Sequence, residues 1–308
     1  MVTDPPVRIK HAFVTGATGI VGVPLCQKLV GLGVRVTAYS RSSGELELPA
    51  EVEHVRGDIL DSEALANAAQ GADVIFHIAA AVHGAVSAEA DFRQINVVGT
   101  KNVVEAAVTI GAKLVHVSTV NVDLYRRGEL VDAYALTKSE AEEAVNAAVE
   151  SSLDAVIVRP ATVFGSVRGR AGLIVDRLLS GSLRVLPAPS RRISPVWADD
   201  LASALIAAGD DGESGGTYTV AGPTLSTGDF VAAICESSGV RNPRVSIPAW
   251  MMAIPLQLAW WVRGVTRWTP PVSVASLRSH SVHDGSRAAA ELQFSYTELS
   301  DIFASPQR

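Results

Sequence analysis

The segment His11–Gly22, HAFVTGATGIVG, constrains this chain more than any other stretch. The apolar run Ala12-Phe13-Val14 reads as a short strand that stops at Thr15. Glycines follow at Gly16, Gly19 and Gly22, and Val21 to Leu29 then repeats with helical periodicity. A strand, a tight turn and a helix start each need glycine for a different reason. One glycine permits the turn, one lets backbone approach a phosphate, and one lets helix and strand pack closely. The helix N-terminus offers unpaired N–H groups and a partial positive charge to a pyrophosphate. Thr18 and Ile20, between the glycines, complete the candidate contact. The spacing is three and three, not the two and three of G-x-G-x-x-G. By itself it also suits a glycine-rich turn that binds nothing.

The rest of the chain sets bounds. At 308 residues it has room for a doubly wound domain and a smaller lobe. Hydrophobic residues at 48% and charged residues at 19% supply a core and exclude disorder. A net charge of -6 without a basic block argues against nucleic acid as a partner. Cys26 and Cys235 lie far apart on expected helices, with neither disulfide nor metal spacing. They fit a reducing cytoplasm, and the opening MVTDPPVRIK has no secretory apolar region. A cytoplasmic protein without a membrane span is the expectation.

Strands and helices alternate, which marks an α/β fold with a parallel sheet covered on both faces. Strands are expected at His11–Thr15, Val34–Tyr39, Val52–Val55, Val74–His77, Leu114–Val117 and Ala155–Val158. The third carries Glu53 and His54 between its valines and is the most polar. Helical patterns run over Ile20–Leu32, Ser62–Ala69, Ala90–Ile110 and Ala135–Val149. The last two are alanine-rich and suit either packing within the chain or a second subunit.

The end of the second strand bears on cofactor choice. An acid there favours NAD, because it accepts hydrogen bonds from the ribose. Here the residues are Tyr39-Ser40-Arg41-Ser42-Ser43, and Arg41 with its hydroxyl neighbours suits a 2′-phosphate. NADP(H) is therefore expected, although Arg41 also reads as an ordinary loop arginine. Asp58 and Ile59, in RGDILD, fall where an adenine would lie; Asp61 and Ser62 also suit the cap of the next helix. Ala79 and Ala80 after the fourth strand are small enough for a cofactor to cross the strand ends.

Tyr134 and Lys138 stand four apart on an expected helix, hence on one face. Free tyrosine, with a pKa of about 10, is a poor base at neutral pH. An ammonium a few ångströms away is expected to lower it and make Tyr134 a general acid or base. Such a pair alone is common on solvated helices. Here Val115-His116-Val117-Ser118-Thr119 precedes it, a buried strand ending in two hydroxyls. One of these can stabilise charge on a carbonyl oxygen, while the other serves only to cap a loop.

Taken together, these segments resemble the extended short-chain dehydrogenase/reductase family over nearly the whole chain. TGATGIVG is similar to its phosphate loop and DVIFHIAA to its fourth-strand motif. INVVGT carries Asn96, which the resemblance makes a support of the active site. The resemblance implies Thr119 as the catalytic hydroxyl with Ser118 beside it, and Tyr134 and Lys138 as the catalytic pair, Lys138 also holding ribose. VRPATVFG, with Pro160 and Val163, implies contact with a nicotinamide, and PVWADDLASAL opens the late helical region. Arg159-Pro160-Ala161 is closer to the 3β-hydroxysteroid dehydrogenase and dihydroflavonol reductase branch than to the nucleotide-sugar enzymes. Val120–Ala133 is short for that branch, so a more open pocket is expected there.

The implied architecture is a Rossmann-type domain over 1–165, with returns from about 184–222, and a mostly helical substrate lobe over 166–308. In that lobe AWMMAIPLQLAWWV (249–262) is rich in Met and Trp. It reads as a wall for a lipophilic substrate, as an interfacial membrane contact, or as core. The implied activity is NADP(H)-dependent interconversion of a ketone and a secondary alcohol on an apolar substrate, by a homodimer without a metal. Two rivals are a nucleotide-sugar epimerase or dehydratase holding NAD tightly, and a non-catalytic dinucleotide sensor.

Overall fold

In the computed structural model the apolar runs become a seven-stranded sheet in which every neighbouring pair is parallel. The model describes residues 7–41, 48–82, 89–165, 173–251 and 281–304. The strands are β1 (His11–Thr15), β2 (Arg35–Ser40), β3 (Glu53–Arg56), β4 (Val74–His77), β5 (Lys113–Val117) and β6 (Ala155–Pro160), with Thr217–Val220 outside β6. Their order is Thr217–Val220, β6, β5, β4, β1, β2, β3. The apolar strands β1, β4 and β5 lie in the middle, where both faces are covered. The polar β3 is an edge strand, and its Glu53 pairs with Arg35 of β2 at 2.9 Å.

Helices α1 (Gly22–Gly31), α2 (Ser62–Ala68), α3 (Glu89–Arg93), α4 (Gly99–Ile110), α5 (Asn121–Arg126) and α6 (Ala133–Glu150) connect the strands. α4 packs beside α2 and α6, and α1 packs against the helix Ala198–Asp211. Strand alternation sends Phe13, Tyr39, Ile75, Leu114 and Ile157 to the first of these layers, where they meet Leu65, Val103, Ala106 and Val145. Asp61 caps α2 through Ala64 N at 3.0 Å, and Asp132 caps α6 through Ala135 N at 3.1 Å.

The long helix expected over Ala90–Ile110 is not continuous. A π-helical turn, Gln94–Val98, separates α3 from α4. A Cβ on Gly99 would stand 2.5 Å from Ile59 Cδ1, so glycine lets the helix close on the adjoining loop. The wider turn carries Asn96 inward, as such turns do at functional sites.

Compact packing divides the chain into two units. The sheet unit comprises Met1–Ala161, Ala198–Val220 and Gly285–Ser295. The second comprises Thr162–Trp197, Ala221–Asp284 and Tyr296–Arg308. It contains the helices Leu173–Leu179, Thr227–Ser238 and Leu299–Ala304 and short strand pairs such as Thr162–Phe164 with Pro195–Trp197. Its core centres on Phe164, whose ring lies 5.2 Å from Trp197 and 5.1 Å from Phe230. Both cysteines are free and buried on helices.

Of the Met- and Trp-rich stretch, residues 252–262 lie outside the described residues. Trp250 and Met251 at its head are exposed, at 69% and 52%. Among the described residues no helix is long and apolar enough to cross a membrane.

Candidate active site

The glycine turn is packed against the end of β4. Gly16 has φ +72°, and a Cβ there would stand 2.7 Å from Ala79 N. A Cβ on Gly22 would stand 2.3 Å from Gly16 O, and Gly19 N donates to that same oxygen at 3.0 Å. The first turn of α1 has no side-chain cap and no acidic residue. Thr18, Gly19 and Ile20 are half-buried on the turn.

A buried hydrogen-bond chain links this turn to the helix that carries Asn96. Ala79 N donates to Thr15 Oγ1 at 3.3 Å, and Thr15 Oγ1 meets His77 Nδ1 at 2.8 Å. His77 Nε2 meets Thr100 Oγ1 at 3.0 Å, whose proton goes to Asn96 O at 2.6 Å. Each donor then has one acceptor if His77 is neutral with its proton on Nε2. Burial, reinforced by the Lys138 charge, draws the His77 pKa down to about 3.

Asn96 faces the other way. Its Oδ1 accepts from Ala81 N at 2.7 Å, and its Nδ2 donates to Ala81 O at 3.2 Å and to Thr137 Oγ1 at 3.1 Å. Thr137 lies between Tyr134 and Lys138, so Asn96 fastens the end of β4 to the middle of that pair. Ala79 and Ala80 are half-buried before Ala81.

Ser118 and Thr119 follow β5, and both are buried. Thr119 Oγ1 accepts from Asn121 N at 3.3 Å at the start of α5. Ser118 Oγ has no hydrogen-bond partner among the described residues. Lys138 is wholly buried; its Nζ donates to Val117 O at 2.7 Å and lies 3.3 Å from His116 Nε2. Burial lowers the Lys138 pKa to about 8, against the opposing pull of Glu142.

The Tyr134 pKa is raised, not lowered as the Lys138 spacing predicts. Burial and the Asp132 carboxylate push it up to about 12. The Lys138 ammonium is directed at a carbonyl and an imidazole of β5, and the charge at the head of α6 that acts on Tyr134 is negative. Tyr134 is therefore a phenol at neutral pH, able to donate a proton. Its ring lies 6.3 Å from that of Phe92.

Arg41, at the end of β2, is exposed. Asp58 Oδ1 accepts from Leu60 N at 3.0 Å, its carbonyl accepts from Tyr39 Oη at 3.1 Å, and Ile59 is buried. Pro160 closes β6 in the sheet unit, where its carbonyl accepts from Val120 N at 3.2 Å. Val163 lies in the second unit, on the strand Thr162–Phe164. Among the described residues no group of acids, histidines and cysteines is arranged to hold a metal.

Residues 12–221 match the model of the NAD dependent epimerase/dehydratase family. The chain belongs to that family. Among its relatives is a 2-alkyl-3-oxoalkanoate reductase of Stenotrophomonas maltophilia, 35% identical over 211 residues. That alignment spans 62% of this chain and 63% of the relative's length. Sterol demethylase protein B of Methylococcus capsulatus is 27% identical over 316 residues, 95% of each chain. The fold is shared with UDP-glucose 4-epimerase of Thermotoga maritima, at a TM-score of 0.76 and 19% identity over 96% of both chains.

The site accommodates the dinucleotide that the family's description implies. Gly16 and Gly22 let the turn close tightly on Ala79 and on its own backbone, and α1 begins with neither a side-chain cap nor an acidic residue that would compete with a phosphate.

Several site residues were not singled out from the sequence. His77 and His116 interrupt otherwise apolar strands, and that interruption was the available signal. Glu142 follows Lys138 by four residues on α6 and is wholly buried. It pairs with Arg159 and Arg126, and Arg159 also reaches Asp123 at 2.6 Å. Only opposite charges on three separate elements make sense of that cluster, and sequence spacing does not bring those elements together.

Proposed function

We propose that this chain is an NADP(H)-dependent oxidoreductase that interconverts a ketone and a secondary alcohol on an apolar substrate. The observation that carries the reading is the placement of Tyr134 and Lys138 on α6. Lys138 is bonded to Val117, the strand end that leads directly into Ser118 and Thr119. Proton donor, cation and hydroxyls thus issue from two elements tied to each other.

The residues divide the work. Tyr134, protonated at neutral pH, gives its proton to the carbonyl oxygen in reduction. Thr119 polarises that carbonyl, and Ser118 offers a second hydroxyl. Lys138 holds the ribose and supplies positive charge as the phenol gives up its proton. Asn96 keeps α6 in register with β4. The nicotinamide ring, when bound, supplies or accepts the hydride. Gly16, Gly19 and Gly22, with Thr18 and Ile20, take the pyrophosphate. Asp58 and Ile59 flank the adenine, Ala79 and Ala80 underlie the cofactor, and Pro160 touches the nicotinamide. Arg41 takes the 2′-phosphate from its exposed position.

The relative named as a reductase of 2-alkyl-3-oxoalkanoates supports carbonyl chemistry on a substrate with an alkyl arm. The same reading makes the protein a cytoplasmic homodimer paired through α4 and α6.

The test is a titration of NADPH and NADH by nicotinamide fluorescence, on wild type and Arg41→Ala, followed by a panel of apolar ketones. NADPH is expected to bind more tightly, and Arg41→Ala to erase the difference. NADH binding as well as NADPH would overturn the cofactor assignment. Protein purified with NAD already bound and returned unchanged would move the assignment to the epimerase class.

A further inference from the structure

An ammonium has three N–H donors and no acceptor. In Lys138 two of them are committed to β5. Val117 O accepts one at 2.7 Å, and the second points to His116 Nε2 at 3.3 Å. Both side chains are buried, at 1% and 0% exposure. His116 Nδ1 has no hydrogen-bond partner among the described residues. An ammonium donates only to a ring nitrogen that carries no proton. The His116 proton therefore sits on Nδ1, which faces no acceptor among the described residues, and the paired nitrogen is kept for Lys138.

The groups around the pair agree with this. From β4, the His77 ring lies 5.3 Å from that of His116, but its own nitrogens are taken by Thr15 and Thr100. From α6, Glu142 faces Lys138, but its carboxylate is held by Arg159 and Arg126. Burial, Lys138 and His77 all hold the His116 pKa well below its ordinary value, so it stays an acceptor across the working range.

We propose that His116 is a positioning residue for Lys138: with Val117 O it occupies two ammonium protons and leaves one N–H, in a fixed direction, for a cofactor hydroxyl. This rests on the reading of Lys138 as the ribose-binding lysine. It goes further by giving the buried ammonium a second acceptor on β5, beside the charge of Glu142. Without Nε2 the ammonium has a single acceptor among the described residues, in a buried site, and its charged form becomes harder to hold.

The experiment measures NADPH dissociation constants from pH 6 to 10 for wild type, H116Q, H116F, K138M and the H116F/K138M double variant. In wild type, affinity is expected to fall as pH rises past the Lys138 pKa, about 8. H116F should bring that fall about one pH unit lower and weaken binding about fivefold at pH 8. H116Q, whose amide oxygen can accept, should restore the wild-type midpoint. If His116 acts only through Lys138, the double variant binds no worse than K138M. An unmoved midpoint in H116F, or losses that add in the double variant, would overturn the proposal. K138M binding NADPH as tightly as wild type would instead remove the parent reading. Lys138 is therefore also titrated without cofactor, by NMR of protein labelled at lysine Cε. Its midpoint should be lower in H116F than in wild type, and an equal midpoint would overturn the proposal on its own. H116L replaces H116F in both measurements should H116F fail to fold.

Discussion

The Arg159 guanidinium grips the Glu142 carboxylate with both prongs, Nε to Oε1 at 2.7 Å and Nη2 to Oε2 at 2.5 Å. This fixes the end of β6 to the middle of α6, one turn beyond Lys138. Arg126 and Asp123 of α5 join the same cluster, so the segment that follows Thr119 is held by it too. Removing the wholly buried carboxylate leaves two guanidinium groups facing each other across the gap. Glu142→Gln is expected to destabilise the fold by about 3–5 kcal/mol in urea unfolding, the scale for breaking a buried ion pair from one side. A change under about 1 kcal/mol would mean that the cluster behaves as a surface pair.

Acid should weaken the protein early, because two histidines are buried in neutral form. The His77 pKa is about 3 in the folded protein against 6.5 as its ordinary value, and His116 is also shifted well down. Folded values below unfolded ones mean that the unfolded chain takes up protons the native state refuses. The penalty is absent above about pH 6.5 and grows as pH falls towards 3, by about 1.4 kcal/mol per pH unit per histidine. Unfolding free energy measured from pH 7 to 4.5 should fall accordingly, and His77→Gln should flatten the slope. A slope unchanged in His77→Gln would show that His77 takes up its proton in the native state.

Gly22 tests the phosphate turn without touching a charge. A Cβ there would meet Gly16 O at 2.3 Å and Ala17 Cα at 2.5 Å, both backbone atoms within the turn. Gly22→Ala must push the helix start away from the strand. It should cost about 1–3 kcal/mol of stability and weaken NADPH binding at least tenfold. Gly31→Ala on the same helix meets nothing within 4 Å and serves as the control. Equal NADPH affinity in the two variants would remove the turn from the binding site.

Much of this was legible in the sequence because it is local. The six principal strands come within a residue or two of their expected positions, since apolar runs bounded by glycine, proline and polar turns report directly on buried strands. The glycine turn and the Tyr134–Lys138 spacing are likewise properties of adjacent residues. What stayed hidden depends on distant segments meeting. The π turn at Gln94–Val98 follows from how Gly99 closes on Ile59 and Asn96 reaches Ala81. The raised Tyr134 pKa follows first from burial, which the packing around α6 decides, and then from the Asp132 carboxylate. No spacing rule on α6 alone contains that information.

Tyr134 carries the last prediction, because its state separates the two directions of the reaction. With its pKa at about 12 the hydroxyl is protonated throughout the neutral range. It is thus ready to donate in reduction, whereas oxidation of an alcohol needs the scarce phenolate. Reduction should be flat with pH up to the Lys138 pKa of about 8 and decline above it, as the neighbouring cation is lost. Oxidation should climb with pH over the same range. Tyr134→Phe should lose at least about 100-fold in turnover in both directions while binding NADPH as wild type does, the usual scale for a general acid. Steady-state rates in both directions, with a parallel fluorescence titration of NADPH, check all three statements. Turnover retained in Tyr134→Phe would remove it as the proton donor and shift attention to the Ser118 hydroxyl, which has no partner among the described residues and lies two residues from His116 on the far side of Val117.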